Sequence, residues 1–262
     1  MKKLFSYLML ISLIVFASCT EENPINENVS TANATEKTFT VQGHPYDLSK
    51  SAIKGIEAIA TSKSIDISNG GDPNFTMDDI KFWVGTGTKK AALVIEWHDG
   101  KNPDALVWGY RWNGDAYGID MIREIVKADP RLIFLTHMTG SLGYTIAGLG
   151  YNINKTGPHY LIYNNQTNNP VYPVNGIVTT NAYNYDNWTY SDPADHWLSG
   201  WYNGYWSYWI KDTISAPWGY SGWGASSRKL TNGSWDGWSF LGDMSEWEGN
   251  QLGNKFLAAQ PN

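Results

Sequence analysis

Between Trp188 and Trp247 the chain carries ten of its fourteen tryptophans. The densest run is His196-Trp197-Leu198-Ser199-Gly200-Trp201-Tyr202-Asn203-Gly204-Tyr205-Trp206-Ser207-Tyr208-Trp209. Each indole must find room for a large ring and, when buried, an acceptor for its N–H. A fold built from this segment therefore needs either an unusually aromatic core or a surface that uses rings for contact. Interleaved Gly, Ser and Asn favour the second use for at least part of the cluster, because small polar residues suit a wall that grips flat or ring-shaped ligands.

The N-terminal end gives an address. Lys2 and Lys3 precede an apolar stretch, Leu4 to Phe16, that is too short to span a bilayer. Ala17 and Ser18 then lead to Cys19, the only cysteine. This arrangement resembles a bacterial lipobox, in which the thiol is acylated and becomes the mature N-terminus. Cys19 is thus the expected lipidation site, and an internal disulfide is excluded. The polar, Asn/Glu/Thr-rich stretch to Lys37 reads as a flexible tether. Its Glu21-Glu22 start resembles the surface-export signal of Bacteroidetes lipoproteins, implying a lipid-anchored protein facing outward from the outer membrane. Loss of Lys2 and Lys3 makes the formal charge of −6 more negative by two units, which argues against nucleic acid as a partner. Membrane contact is expected through the lipid alone.

Hydrophobic patterning predicts an α+β fold that is mainly β: an antiparallel sheet domain with one prominent helix and long ordered loops. The expected organisation is a signal segment over 1–18, the tether over 19–37, a lead-in segment over 38–75 with a short helix at Ser51–Ala60, and a ligand-binding domain over 76–262. Ile80–Val84 and Ala91–Trp97 flank Gly85–Lys90 and read as a hairpin. Ala105–Trp112 reads as a third strand with Trp108, Tyr110 and Trp112 on one face. Gly118–Ala128 is the best helix, striped by Ile119, Ile122, Ile125 and Val126 and stopped by Asp129-Pro130. Further strands are expected at Leu132–Met138, Tyr144–Ile153, His159–Tyr163, Tyr205–Ile210, Arg228–Leu230 and Trp238–Leu241. Asn164–Asp195 reads as irregular loops, and Phe256 onward as a tail.

Catalytic signatures are missing. His44, His98, His137, His159 and His196 show no metal-ligand spacing, and a structural zinc site would lack cysteines. No G-x-S-x-G, phosphate-binding loop or dinucleotide fingerprint occurs. Glu96, Asp99, Asp104 and Asp115 invite a glycosidase reading, but Asp99-Gly100 and Asn113-Gly114-Asp115 are ordinary turn chemistry. The expectation is no enzyme, no catalytic residue, no metal and no required cofactor.

The aromatic segment carries the functional expectation. On the strand at Tyr205–Ile210, Trp206, Tyr208 and Ile210 share a face that reads as core, while Tyr205, Ser207 and Trp209 share the other. Trp218, Trp223 and Trp235 fall on Gly/Ser-rich segments where nothing forces burial. The expected ligand-binding residues are therefore Trp201, Tyr205, Trp209, Trp218, Trp223 and Trp235, with Trp108 and Trp112 as a second group.

The order of elements from Ala105 to Leu241 adds a resemblance. A strand, the helix Gly118–Ala128, the Gly-containing strand Tyr144-Thr145-Ile146-Ala147-Gly148-Leu149-Gly150, then Tyr205-Trp206-Ser207-Tyr208-Trp209 and Leu230 to Phe240 resemble the small C-terminal β-domain of transcobalamin-like proteins. The shared element is a Tyr-Trp-x-aromatic strand followed by a glycine turn and a closing strand, matched here by Tyr205, Trp206 and Tyr208. The large helical domain of that family has no counterpart. The resemblance implies a cell-surface lipoprotein that binds cobalamin or a related corrinoid and passes it to a TonB-dependent outer-membrane transporter. Two other readings remain open: surface glycan capture by Trp/Tyr stacking, and a structural or adhesion lipoprotein whose aromatics are all core.

Overall fold

The computed structural model describes residues 71–140, 143–155, 157–213, 215–242, 252–253 and 255–261. The signal segment, Cys19, the tether and the short helix at Ser51–Ala60 lie outside the described residues. The fold is mainly β with a single α-helix among the described residues, as expected, but its sheets are mixed rather than purely antiparallel.

The organising strand is β2 (Lys89–Glu96), whose unbroken apolar run from Ala91 to Ile95 marks a strand covered on both faces. It pairs antiparallel with β3 (Ala105–Trp112) along its full length, from Lys89↔Trp112 to Glu96↔Ala105. On its other side runs β12 (Trp235–Leu241), parallel to β2 and antiparallel to β10 (Tyr205–Lys211). The two-residue β11 (Gly219–Tyr220) completes that flank. The outer edge of β3 is shared by two short parallel strands: β1 (Trp83–Gly85) against Gly109–Arg111, and β13 (Leu257–Ala258) against Leu106–Val107.

Two expectations change here. The segment Ile80–Val84 forms no hairpin with β2, because β2's eight-residue ladder with β3 occupies that edge and leaves β1 only the far side of β3. The C-terminal stretch is not a tail: Phe256 and Ala259 are buried, and the Ala259 N–H donates to the Val107 carbonyl at 2.9 Å. Arg228–Leu230 is likewise no strand, its only ladder contact being an isolated bridge from Lys229 to Tyr117.

Helix α1 (Gly118–Ala128) buries Ile119, Met121, Ile122, Ile125 and Val126. It packs with Leu93, Ile95, Trp108, Tyr208 and Trp238 of the main sheet, and with Leu132, Phe134, Ile146 and Leu149 of a second sheet, in one core. The second sheet runs β7 (Ile177–Thr179), β4 (Leu132–Met138), β5 (Tyr144–Tyr151), β9 (His196–Ser199). Its far face, with Ile133, Leu135 and Ala147, is covered by the pair β6 (Leu161–Tyr163) and β8 (Trp188–Tyr190). The stretch read as irregular loops therefore contains β7, β8 and a 3₁₀ turn at Tyr185–Asn187. Gly148 and Gly150 have a steric purpose in β5: a Cβ at either would lie 2.8 Å from the Trp197 ring, so only glycine lets that indole lie on the strand. The main sheet's other face is covered by Phe75, Ile80, Trp218, Leu252 and Phe256.

One buried ion pair ties these pieces. Asp129 closes α1, and Arg131 begins the turn into β4; Arg131 Nε and Nη2 donate to the two Asp129 oxygens at 2.7 Å each. Trp108 Nε1 of β3 donates to Asp129 Oδ2 at 3.0 Å, Arg131 stacks over Tyr151 of β5, and its Nη2 also donates to the Gln260 carbonyl. Removing one partner of such a pair leaves an uncompensated buried charge and costs about 3–5 kcal/mol. Asp129→Ala is expected to lower unfolding stability by that order in chemical denaturation, and Asp129→Asn, which keeps an acceptor for the indole N–H, by less.

Candidate functional site

Where β10 of the main sheet approaches β5 of the second sheet, the surface opens into a cleft of about 300 Å³. Six tyrosines (144, 183, 185, 205, 208 and 220) and four tryptophans (201, 206, 223 and 238) line it, with Thr139, Thr145, Ile146 and Ser221. Among the described residues, no charged side chain belongs to this lining. The rings interlock: Tyr183 lies 4.5 Å from Trp201, Tyr185 meets Trp201 edge-on at 5.5 Å, and Tyr208 stacks on Trp238 at 4.2 Å and 7°. Offset and edge-to-face contacts of this kind hold a ring wall rigid beyond what area burial alone gives.

Two loops supply the wall, and each is fixed by hydrogen bonds that the sequence pattern hides. The turn carrying Trp201 is wrapped around the Asp186 carboxylate, which accepts the N–H groups of Trp201, Tyr202 and Asn203 at 3.1, 3.0 and 2.8 Å. The turn carrying Trp223 is pinned at both ends. Ser221 N–H donates to the Tyr208 carbonyl at 2.8 Å, and Ser221 Oγ accepts from Trp223 N–H at 3.2 Å. Downstream, the carbonyls of Ala225 and Arg228 accept the N–H groups of Ile119 and Gly118 at 3.0 and 2.8 Å. The loop thereby satisfies donors that the first turn of α1 would otherwise leave orphaned.

Hydroxyls give the cleft its polarity. Tyr205 and Tyr220 share a short hydrogen bond through their hydroxyls. Burial pushes the Tyr220 phenol up to about 12 and the Tyr205 phenol well above its ordinary value, so both are neutral donor–acceptors. The Tyr185 hydroxyl lies 2.8 Å from His137 Nδ1, and burial lowers the pKa of that imidazole.

The structure brings together three of the eight residues expected to bind ligand. Trp201 and Tyr205 line the cleft, and Trp223 stands at it 54% exposed. The other five are packed inside. Trp108 and Trp112 belong to the core beneath α1. Trp209 donates its indole N–H to Ser207 Oγ at 2.9 Å on the opposite face of β10. Trp218 and Trp235 meet edge-on at 6.4 Å with Lys211 Nζ over both rings, and Trp235 begins β12 rather than standing in a loop. Trp206 and Tyr208, read as core, are buried and still contribute atoms to the cleft. Tyr183, Tyr185 and Tyr220 also line the cleft; they sit in loops or in elements of two or three residues, too short for periodicity to reveal which way they turn.

Behind the cleft floor lies a buried acid. Tyr208 donates a short hydrogen bond to Asp236 Oδ2, Arg228 Nε stands 3.5 Å from Asp236 Oδ1, and Arg228 Nη1 reaches the exposed Asp212 at 2.7 Å. Burial pushes the Asp236 carboxyl up to about 6, against the pull of Tyr208 and Arg228. Comparison with known proteins returned nothing: no protein-family model, no curated protein and no solved structure matches this chain. The transcobalamin-like resemblance rests on its motif residues alone.

Because the folded protein favours protonated Asp236, it binds more protons than the unfolded chain between about pH 4 and about pH 6. The contribution of Asp236 to stability is fully present below about pH 4 and is lost as pH rises through about 6. Asp236→Asn, permanently neutral, should lack this component. The wild-type-minus-variant difference in unfolding free energy is expected to fall by on the order of 3 kcal/mol across that window, read from urea titrations at fixed pH values.

Proposed function

We propose that this chain is a non-catalytic, lipid-anchored surface protein that captures a neutral saccharide in the aromatic cleft. The observation that carries the reading is a cleft walled by ten aromatic rings and hydroxyls, with no charged side chain in its lining. Sugar rings present apolar C–H faces that stack on Trp and Tyr, and hydroxyl rims that pair with Tyr, Thr and Ser. A neutral lining incurs no charge-desolvation cost when such a ligand displaces water. The volume, about 300 Å³, lies at the small end of ligand pockets and suits one or two sugar rings. Surface placement rests on the Cys19 lipobox and the acidic tether behind it.

A second reading is supported by one specific observation: Tyr205, Trp206 and Tyr208, the motif shared with transcobalamin-like domains, all line this cleft. Under it the ligand is cobalamin or another corrinoid, bound for a TonB-dependent transporter. A corrin with its side arms is larger than the cleft, so only an edge of it would enter.

Isothermal titration with a panel of neutral oligosaccharides, alongside cyanocobalamin, separates the two. Saccharide binding is expected, weakened roughly tenfold, or about 1.4 kcal/mol, by Trp223→Ala with little change in the thermal midpoint. Asp186→Ala should weaken it too, by releasing the turn that holds Trp201. Heat from cyanocobalamin alone would favour the second reading. Silence from both would leave the aromatics as structural.

A further inference from the structure

We propose that the loop joining β2 to β3 is a binding site for a divalent metal ion of the zinc class, held by Glu96, His98 and Asp104. It lies apart from the aromatic cleft, sharing none of its lining residues. The loop is closed at its base by the Trp97 N–H, which donates to the Asp104 carbonyl at 3.0 Å, one step beyond the Glu96↔Ala105 pair. That closure brings the two ends of the loop together. His98, between them, has φ 57, and its N–H donates to Asp104 Oδ1 at 3.0 Å.

The donor atoms converge. His98 Nε2 stands 3.2 Å from Glu96 Oε2, and His98 Nδ1 stands 3.8 Å from Asp104 Oδ2. One ligand atom from each of the three side chains lies within 4.8 Å of the others. Zinc bound at about 2.0–2.2 Å spaces its tetrahedral ligands by roughly 3.3–3.6 Å, so the two carboxylates, which here face opposite nitrogens of the imidazole, must turn toward the same nitrogen to share an ion. Glu96 is held ready: its carboxylate is buried and accepts the Gly253 N–H at 2.9 Å, with the Ser239 hydroxyl 3.3 Å away. Ser239 Oγ also lies 2.9 Å from His98 Nε2.

Access and charge both fit a cation. A separate cavity of about 470 Å³ opens on Glu96, His98 and Asp104, leaving room for water to complete a coordination sphere. Two carboxylates and an imidazole face the cavity, and Lys255 is the one lysine or arginine among the described residues of its lining. One imidazole with two carboxylates suits zinc or its first-row neighbours better than calcium or magnesium, which take oxygen ligands. Ser239 is fully buried on β12, which removes it as an accessible nucleophile and disfavours a Ser-His-acid hydrolase in the same atoms.

The test is zinc binding by the full chain after treatment with chelator, measured by competition with a chromophoric chelator and checked by metal analysis. One equivalent is expected at micromolar zinc, with visible d–d absorption of low coordination number when Co²⁺ replaces it. Asp104→Asn keeps an acceptor for the His98 N–H on a half-exposed side chain, and should weaken zinc binding at least tenfold with an unchanged far-UV spectrum. His98→Gln should do the same. Binding well below one equivalent, or undiminished binding in both variants, would overturn the proposal.

Discussion

The fold depends on a charge that it had to bury. Asp129 and Arg131 are two residues apart, yet their pair contacts the end of α1, β3 through Trp108, β5 through Tyr151 and the C-terminal segment through Gln260. Desolvating both groups costs several kcal/mol each, and the return comes only if the surrounding elements supply donors and acceptors in place. The pair therefore rewards one arrangement of helix and sheets over other compact packings of the same apolar faces. In a chain with a single cysteine, which cannot form an internal disulfide, such a constraint takes the place of a cross-link.

The aromatic cleft follows from that framework at one remove. The Gly/Ser/Asn turns around Trp201 and Trp223 are held by hydrogen bonds to polar groups of neighbouring segments. Asp186 gathers three successive N–H groups, and the 221–228 loop supplies acceptors to the first turn of α1. Side chains can then line the cleft in a set geometry while the lining stays uncharged. A rigid, pre-formed wall loses less entropy on binding than one that must order around its ligand.

Periodicity made much of the frame legible. The helix Gly118–Ala128 and the strands Ala105–Trp112 and Leu132–Met138 fall where the residue pattern places them, the helix because it buries a regular stripe and the strands because their apolar runs are covered on both faces. Pairing was not legible in the same way. Nothing local to Trp83–Gly85 says that it joins β3 rather than β2, and nothing near Phe256 announces a strand partner about 150 residues earlier in the chain. For the site, strand alternation assigned Trp206 and Tyr208 to the core but said nothing about Trp218 and Trp235. Their burial comes from the second, covered face of the main sheet, whose cover is built from segments without a repeating pattern. Glu96 and Asp104 flank the Asp99-Gly100 turn and His98 has no metal-ligand spacing, so the sequence does not show an approach that depends on how the loop closes.

The burial pattern also gives the protein a built-in optical label. Among the described residues Trp223 is the one tryptophan classed as exposed, and it stands at the cleft. Its indole faces water, whereas among the other described tryptophans Trp83 and Trp197 are half-buried and the rest are packed inside. Among the described tryptophans, the red edge of the emission spectrum and its quenching by iodide are therefore weighted toward this ring. Whatever settles against that wall announces itself without a dye.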